Sequence, residues 1–184
     1  MAPVPNRRVC VYCASSTYDR RLLEIATEVG EAIARRGWSL VSGGGNVSMM
    51  GALAEAARAG GARTVGVIPE GLRVREVADT AADELVVVTT MRERKREMEE
   101  RSDAFLTLPG GIGTMEEMFE MWTSASLGFH YKPVVLYDPI GFYRPLLDWV
   151  DGLAEAGLVK PEALECLVVR EDLDAALDAC GGRR

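Results

Sequence analysis

The sequence predicts an α/β domain: a mostly parallel β-sheet with helices on both faces. Seven short apolar runs, rich in β-branched residues, punctuate the chain. Longer stretches with apolar residues on a helical period lie between most of them. The short runs are also apolar nearly throughout, which is the pattern of strands covered on both faces.

In chain order, the first strand is VCVYC at 9–13. A helix over 19–36 follows, where Leu22, Leu23, Ala26, Val29 and Ile33 repeat on one face and Gly37 supplies the stop. SLVSG at 39–43 is the second strand, with a helix over 49–59 behind it. TVGVIP at 64–69 and ELVVV at 84–88 are the third and fourth strands, and the next helix spans 91–101. AFLTL at 104–108 precedes a helix over 114–127, and PVVLYD at 133–138 precedes one over 142–156. LVVR at 167–170 and a helix over 173–180 complete the series.

The chain has 184 residues and no proline-, serine- or charge-rich divider, so it reads as one domain, 1–184. Its net charge of -7 and pI of about 4.9 repel polyanions. The one dense basic run, 92–101, is interleaved with four glutamates, so nucleic acid is not an expected partner. The opening MAPVPNRRVCVYCASS has two arginines but only a short apolar run, and no segment approaches about eighteen uninterrupted apolar residues. The expectation is a cytoplasmic protein with no membrane partner.

Cys10 and Cys13 spell C-x-x-C, but they sit on a strand, where residues three apart face opposite sides. One metal ion cannot readily take both thiolates, so buried, inert cysteines are expected. His130 is the sole histidine, which rules out a multi-histidine metal site and points to a structural role.

Three loops follow strands directly: CASS at 13–16, SGGGNVSMMG at 42–51 and PGGIGT at 109–114. In a parallel sheet they gather on one edge, beyond the carboxyl ends of the strands, where ligands bind. Glycine permits close backbone approach, and a following helix offers unpaired N–H groups and partial positive charge, so the edge suits an anion, most naturally phosphate. Any one such loop could also be only a tight turn. The lysine of a triphosphate-binding loop and the G-x-G-x-x-G spacing are both missing, so a monophosphate fits best.

Thr114 and Glu117 form T-x-x-E, which reads either as a capping box or as a carboxylate placed beside the phosphate site. In MRERKREMEER most charges suit a solvated helix with pairs such as Glu97–Arg101 and Lys95–Glu99. Arg94 shares a stripe with Met91 and Met98 and should point inward, toward a structural ion pair, a substrate or a catalytic carboxylate. Glu76, taken alone, reads as exposed.

P-G-G-x-G-T-x-x-E at Pro109–Glu117, preceded by M-x-x-R-K at Met91–Lys95, resembles the lonely-guy family of cytokinin-activating phosphoribohydrolases, often labelled lysine decarboxylases. The resemblance runs from about residue 9 to 180. It implies a Rossmann-like, doubly wound fold and hydrolysis of the N-glycosidic bond of an N6-substituted adenosine 5'-monophosphate, with AMP itself a candidate. It further implies no cofactor and a homodimer, the latter also suggested by the apolar, aromatic stretch MFEMWTSASLGF. The family's catalytic pair falls on Arg94 and Glu117. Its nucleotide contacts fall on Glu76, Lys95, Gly111, Ile112, Gly113, Thr114, Met115 and Glu116, with Ser15 and Gly44 nearby. The chain departs from the family pattern at Ala14 and Ser48, where glycine is common, at Ser42, where an aromatic residue is frequent, and at Arg92, where histidine is frequent.

Cleaving a ribose C1'–N9 bond builds positive charge on the sugar, and Glu117 is the candidate to oppose it or to activate water. The alternative is a module that binds nucleotides or nucleotide-containing cofactors without cleaving them. A pyridoxal-dependent decarboxylase needs a Schiff-base lysine, and only Lys95, Lys132 and Lys160 are present, none in a recognisable cofactor motif.

Overall fold

All seven apolar runs are strands: β1 (Arg8–Tyr12), β2 (Ser39–Ser42), β3 (Thr64–Pro69), β4 (Glu84–Val88), β5 (Ala104–Thr107), β6 (Val134–Tyr137) and β7 (Leu167–Arg170). They form one sheet in the order β4-β3-β2-β1-β5-β6-β7, and every pairing is parallel. The computed structural model describes residues 6–182; the ends of the one-domain reading, 1–5 and 183–184, lie outside the described residues.

Helices α1 (Arg20–Arg35), α2 (Ser48–Ala59), α3 (Met91–Glu100), α4 (Ile112–Ser126), α5 (Arg144–Glu155) and α7 (Leu173–Gly181) match the six expected ones. A 3₁₀ turn at Glu70–Leu72 and the single-turn α6 (Pro161–Leu164) were not anticipated, because neither is long enough to display a period. Asp19 caps α1 by accepting from the Arg21 N–H at 2.9 Å, and Gly37, at φ 67°, lies just past its end as expected. α5 starts two residues later than the pattern implied. The Asp138 carboxylate accepts from the backbone N–H groups of Phe142 and Tyr143 at 2.7 and 2.8 Å and holds them in a turn.

Period-two alternation along β1 divides the core. Val9, Val11 and Cys13 pack with α1, α2 and α7, whereas Cys10 and Tyr12 pack with Met98 of α3, Met118 and Met121 of α4 and Val150 of α5. The two C-x-x-C thiols therefore lie on opposite faces, and burial pushes both well above the usual thiol range. His130 is buried, with its ring against the Met121 carbonyl at 3.0 Å and tilted on Phe105.

The chain winds outward from β1 to β4 and then returns to β5 on the other side of β1. The loops after β1 and β5 part at this switch point and open a crevice, pinned by the Ala14 N–H donating to the Pro109 carbonyl at 3.2 Å.

Candidate active site

At the carboxyl ends of the central strands lies a cavity of about 290 Å³. Its walls come from the loops after β1, β2 and β5, the segment after β3, the inner side of α3 and the first turns of α4. The three glycine- and serine-bearing loops do converge on one edge, but they contribute differently.

In PGGIGT the helix begins at Ile112, two residues before the expected start, with Gly111 at the N-cap and no side chain bonded there. Thr114 is consequently inside the helix, and the capping-box reading of Thr114 and Glu117 is overturned. A capping box does exist on α3: Thr90 Oγ1 accepts from the Glu93 N–H at 3.1 Å while Glu93 accepts from the Thr90 N–H at 3.1 Å. Gly110 must lack a side chain because a Cβ there would overlap that of Thr114. Gly111 and Gly113 face open space: a methyl group at either would have no neighbour within 4 Å, and neither residue has a positive φ. The fold itself does not demand glycine at these two places. What glycine leaves there is bare backbone N–H at a helix start beside a cavity, which is an anion-binding arrangement.

The GGG of the second loop has the opposite character. Gly43, Gly44 and Gly45 are buried, and protein atoms fill the space beside them: Arg94 and Met50 at Gly43, the β3 backbone at Gly44, Met50 and Glu76 at Gly45. Gly44 takes φ 74° and does not line the cavity. This loop is therefore no open anion cradle: Gly43 makes room for the Arg94 guanidinium, Gly44 for the β3 backbone and Gly45 for Met50 and Glu76. Ser48, at the start of α2, sits at φ 55°, a left-handed conformation that favours glycine. Its hydroxyl accepts from the Thr17 N–H at 2.8 Å and donates to the Thr17 carbonyl at 3.0 Å, tying the β1 loop to α2.

Arg94 points inward, as its helical position requires, and is 5% exposed. Its Nε donates to the Val67 carbonyl at 3.0 Å, and Nη2 donates to the Gly43 carbonyl at 2.6 Å and to Glu76 Oε2 at 3.0 Å. The anionic partner is therefore Glu76, not Glu117. Glu76 is correspondingly half-buried instead of exposed, because the segment after β3 folds over the glycine loop: the Asn46 N–H donates to the carbonyls of Glu76 and Val77 at 3.1 and 2.7 Å. Val77 itself adopts φ 48°, a strained setting for a β-branched residue. Arg58 and buried Asp79, paired at 2.6 Å, brace the same segment.

Glu117 lines the cavity from the second turn of α4. Loss of water at this site raises its carboxyl to about 7; Arg94 opposes that rise, Glu116 and Glu76 add to it, and Lys95 opposes it. The group is thus poised to exchange a proton near neutrality, the condition that suits a general base.

The cavity brings together Ser15, Glu76, Arg94, Gly111, Ile112, Gly113, Thr114, Glu116 and Glu117. Gly44, Lys95 and Met115 are not in its lining: Gly44 backs onto β3, Met115 packs into the core, and Lys95 is bound to Glu116 and Glu120. Glu97–Arg101 forms at 3.0 Å as expected, whereas Lys95 faces α4 instead of Glu99. Sequence reasoning missed Tyr12, Ser16, Met50, Leu72 and Met98 as wall residues. Tyr12 and Met98 carry only core signals, and nothing in the 3₁₀ turn marks Leu72. Among the described residues no lysine lines the cavity, and Lys132 donates to the Glu99 carbonyl at 2.6 Å.

A family model described as possible lysine decarboxylase matches residues 50–180. The chain is 57% identical over 172 residues to the cytokinin riboside 5'-monophosphate phosphoribohydrolase of Mycobacterium tuberculosis, covering 94% of this chain and 92% of that one. It is 40% identical over 163 residues to cytokinin riboside 5'-monophosphate phosphoribohydrolase LOG3 of Arabidopsis thaliana, covering 88% and 76%. Among solved structures, the molybdenum cofactor carrier protein of Chlamydomonas reinhardtii shares the fold, with a TM-score of 0.69, 23% identity and 95% coverage of both chains.

Proposed function

The chain belongs to the family of cytokinin riboside 5'-monophosphate phosphoribohydrolases, and from that premise we propose how its cavity works. The protein is an N-glycosyl hydrolase: it splits a cytokinin riboside 5'-monophosphate into the free base and ribose 5-phosphate. The 5'-phosphate docks on the bare N–H groups at Gly111 to Thr114, where the α4 dipole favours an anion. Binding energy from this remote group positions the sugar over Glu117. As the C1'–N9 bond breaks, the Glu117 carboxylate opposes the positive charge on the sugar; the water oxygen bonds to C1', its proton passes to Glu117, and the departing base takes up a proton from solvent, so that it leaves neutral. Arg94, locked by two carbonyls and Glu76, supplies a fixed positive charge beside the nucleotide. The observation that carries this reading is a carboxyl raised to about 7 in the wall of a cavity that also holds an open helix start.

The test is incubation of the purified protein with AMP, an N6-prenylated AMP and the matching nucleoside, followed by detection of free base. Base is expected from a monophosphate and little from the nucleoside. No base from either monophosphate would sink the hydrolase reading, and comparable kcat/KM for nucleoside and nucleotide would sink the phosphate anchor.

The protein acts as a homodimer in the cytoplasm on this reading. An apolar groove runs between α4, α5 and α6, bordered by Phe119, Trp122, Leu127, Trp149 and Leu158, and Leu127, Trp149 and Leu158 are more than half exposed. Such a face suits a two-fold interface. Among the described residues no helix is long and apolar enough to cross a membrane. A nucleoside monophosphate is also too charged to cross a bilayer unaided, which supports an enzyme that meets its substrate inside the cell. Sedimentation showing monomer alone at micromolar concentration would refute the dimer.

A further inference from the structure

Three stretches far apart in the chain meet at the start of α2. The Asn46 N–H donates to the carbonyls of Glu76 and Val77, which holds the segment after β3. Two residues on, the Ser48 hydroxyl bonds the Thr17 main chain in both directions, at 2.8 and 3.0 Å, which holds the loop after β1. Gly51 backs onto Asn46 so closely that a Cβ there would lie 2.9 Å from its main chain, so the first turn of α2 is itself fixed at this corner. Both of the held stretches furnish cavity wall: Ser15 and Ser16 from one, Leu72 and Glu76 from the other. The described residues with positive φ other than glycine are Ser48, at 55°, and Val77, at 48°, and both belong to this corner. A left-handed setting disfavours any residue with a Cβ, whereas glycine adopts it freely. Strain of this kind persists where the surroundings hold it, and it clusters at working sites. What serine has and glycine lacks is the hydroxyl, and that hydroxyl is spent on one residue of the β1 loop.

We propose that Ser48 is a positioning residue of the nucleotide site: by clasping the main chain of Thr17 it keeps the β1 loop folded against α2, with Ser15 and Ser16 in the cavity wall. The proposal rests on the reading of the cavity as a nucleotide site. Ser15, Ser16 and Tyr18 are exposed, so burial does little to order this loop. Its two ends are fixed, by the Ala14 N–H on the Pro109 carbonyl and by Asp19 at the start of α1, and the Ser48 hydroxyl fastens the stretch between them. Thr17 in turn leads the chain into α1, since its Oγ1 accepts from the Asp19 N–H at 3.1 Å. Ser48 does not line the cavity, so its effect passes through the loop. A wall that is already ordered adds no cost to binding, whereas a loose wall must be ordered by the ligand, in the ground state and the transition state alike. Loss of the latch therefore raises KM and leaves kcat nearly intact.

Two replacements separate the hydroxyl from the strain. Ser48→Ala removes the hydroxyl and keeps the Cβ, whereas Ser48→Gly removes the hydroxyl and relieves the backbone. In urea denaturation the glycine variant should therefore be the more stable of the two. Steady-state kinetics on AMP or N6-prenylated AMP, whichever the wild type cleaves faster, should nevertheless show the same defect in both. KM should rise about fivefold or more while kcat stays within about twofold of wild type. A KM that follows stability instead, raised in Ser48→Ala and normal in Ser48→Gly, would make Ser48 a strained residue with no part in the site and overturn the latch. An unchanged KM in both variants would overturn it too, as would a loss confined to kcat. Amide exchange reads the latch without turnover: the Thr17 N–H loses its acceptor and should exchange about tenfold or more faster in both variants. Unchanged exchange at Thr17 refutes the latch. This result stands even if the wild-type protein cleaves no nucleotide, so failure of the latch and failure of the proposed function are told apart.

Discussion

Replacing Glu117 by glutamine removes a charge that the fold resists, and the consequence for stability has a definite sign. The carboxyl ionises near 4.5 in the unfolded chain and near 7 in the folded one, chiefly because its site is dehydrated. Between those values the unfolded chain gives up its proton first. Stability is therefore full below about pH 4.5, declines as pH rises, and carries the whole penalty above about pH 7. A shift of that size corresponds to about 3 kcal/mol at most, and to about 2 kcal/mol once water entering the open cavity is allowed for. Glutamine is neutral throughout and nearly isosteric, so Glu117→Gln should gain stability over wild type by about 2 kcal/mol more near pH 8.5 than near pH 5. Urea denaturation of both proteins at the two pH values measures the difference directly. Catalysis should move the other way, with kcat down about a hundredfold or more, because the amide neither opposes the sugar cation nor takes a proton from water. A stability difference independent of pH would show that Glu117 is not held protonated by its surroundings, and a near wild-type rate would remove it from the mechanism.

Gly113→Ala should stabilise α4 by up to about 1 kcal/mol, since nothing obstructs the added methyl in the helix, yet lower activity by crowding the phosphate; a stabilised and fully active variant refutes the anion site. Arg94→Met should cost about 3 kcal/mol by stranding Glu76 and two carbonyls, and adding Glu76→Gln should recover part of that loss in a denaturation cycle. Val77→Gly, at an exposed position with φ 48°, should keep or raise the melting temperature, and a loss of more than about 1 kcal/mol would show that the turn carrying Glu76 is not strained.

The sheet and its helices were legible in the sequence because burial on both faces leaves a local mark. Apolar runs of strand length and helical stripes such as Leu22, Ala26, Val29 and Ile33 record it residue by residue. The same logic placed Arg94 inside and set Cys10 and Cys13 on opposite faces. Alternation of strands and helices then put the three loops on one edge. What those loops do there was decided only in three dimensions. PGGIGT and GGG look alike as strings, but Gly111 and Gly113 of one face open space at a helix start, whereas the other is packed with protein atoms, among them the guanidinium of Arg94, some fifty residues away along the chain, at Gly43. The start of α4, too, was decided in three dimensions: Gly110 lies against Thr114, and the helix begins at Ile112 with Gly111 at its N-cap and no side chain bonded there, which leaves Glu117 free of any capping duty. Glu76 carried no local signal at all, because it is buried only by the turn that carries it onto Arg94, and the partners of Lys95 belong to a helix whose approach no period records. Periodicity encodes which face of an element is buried; which loops and charges meet depends on the order in which the strands pair.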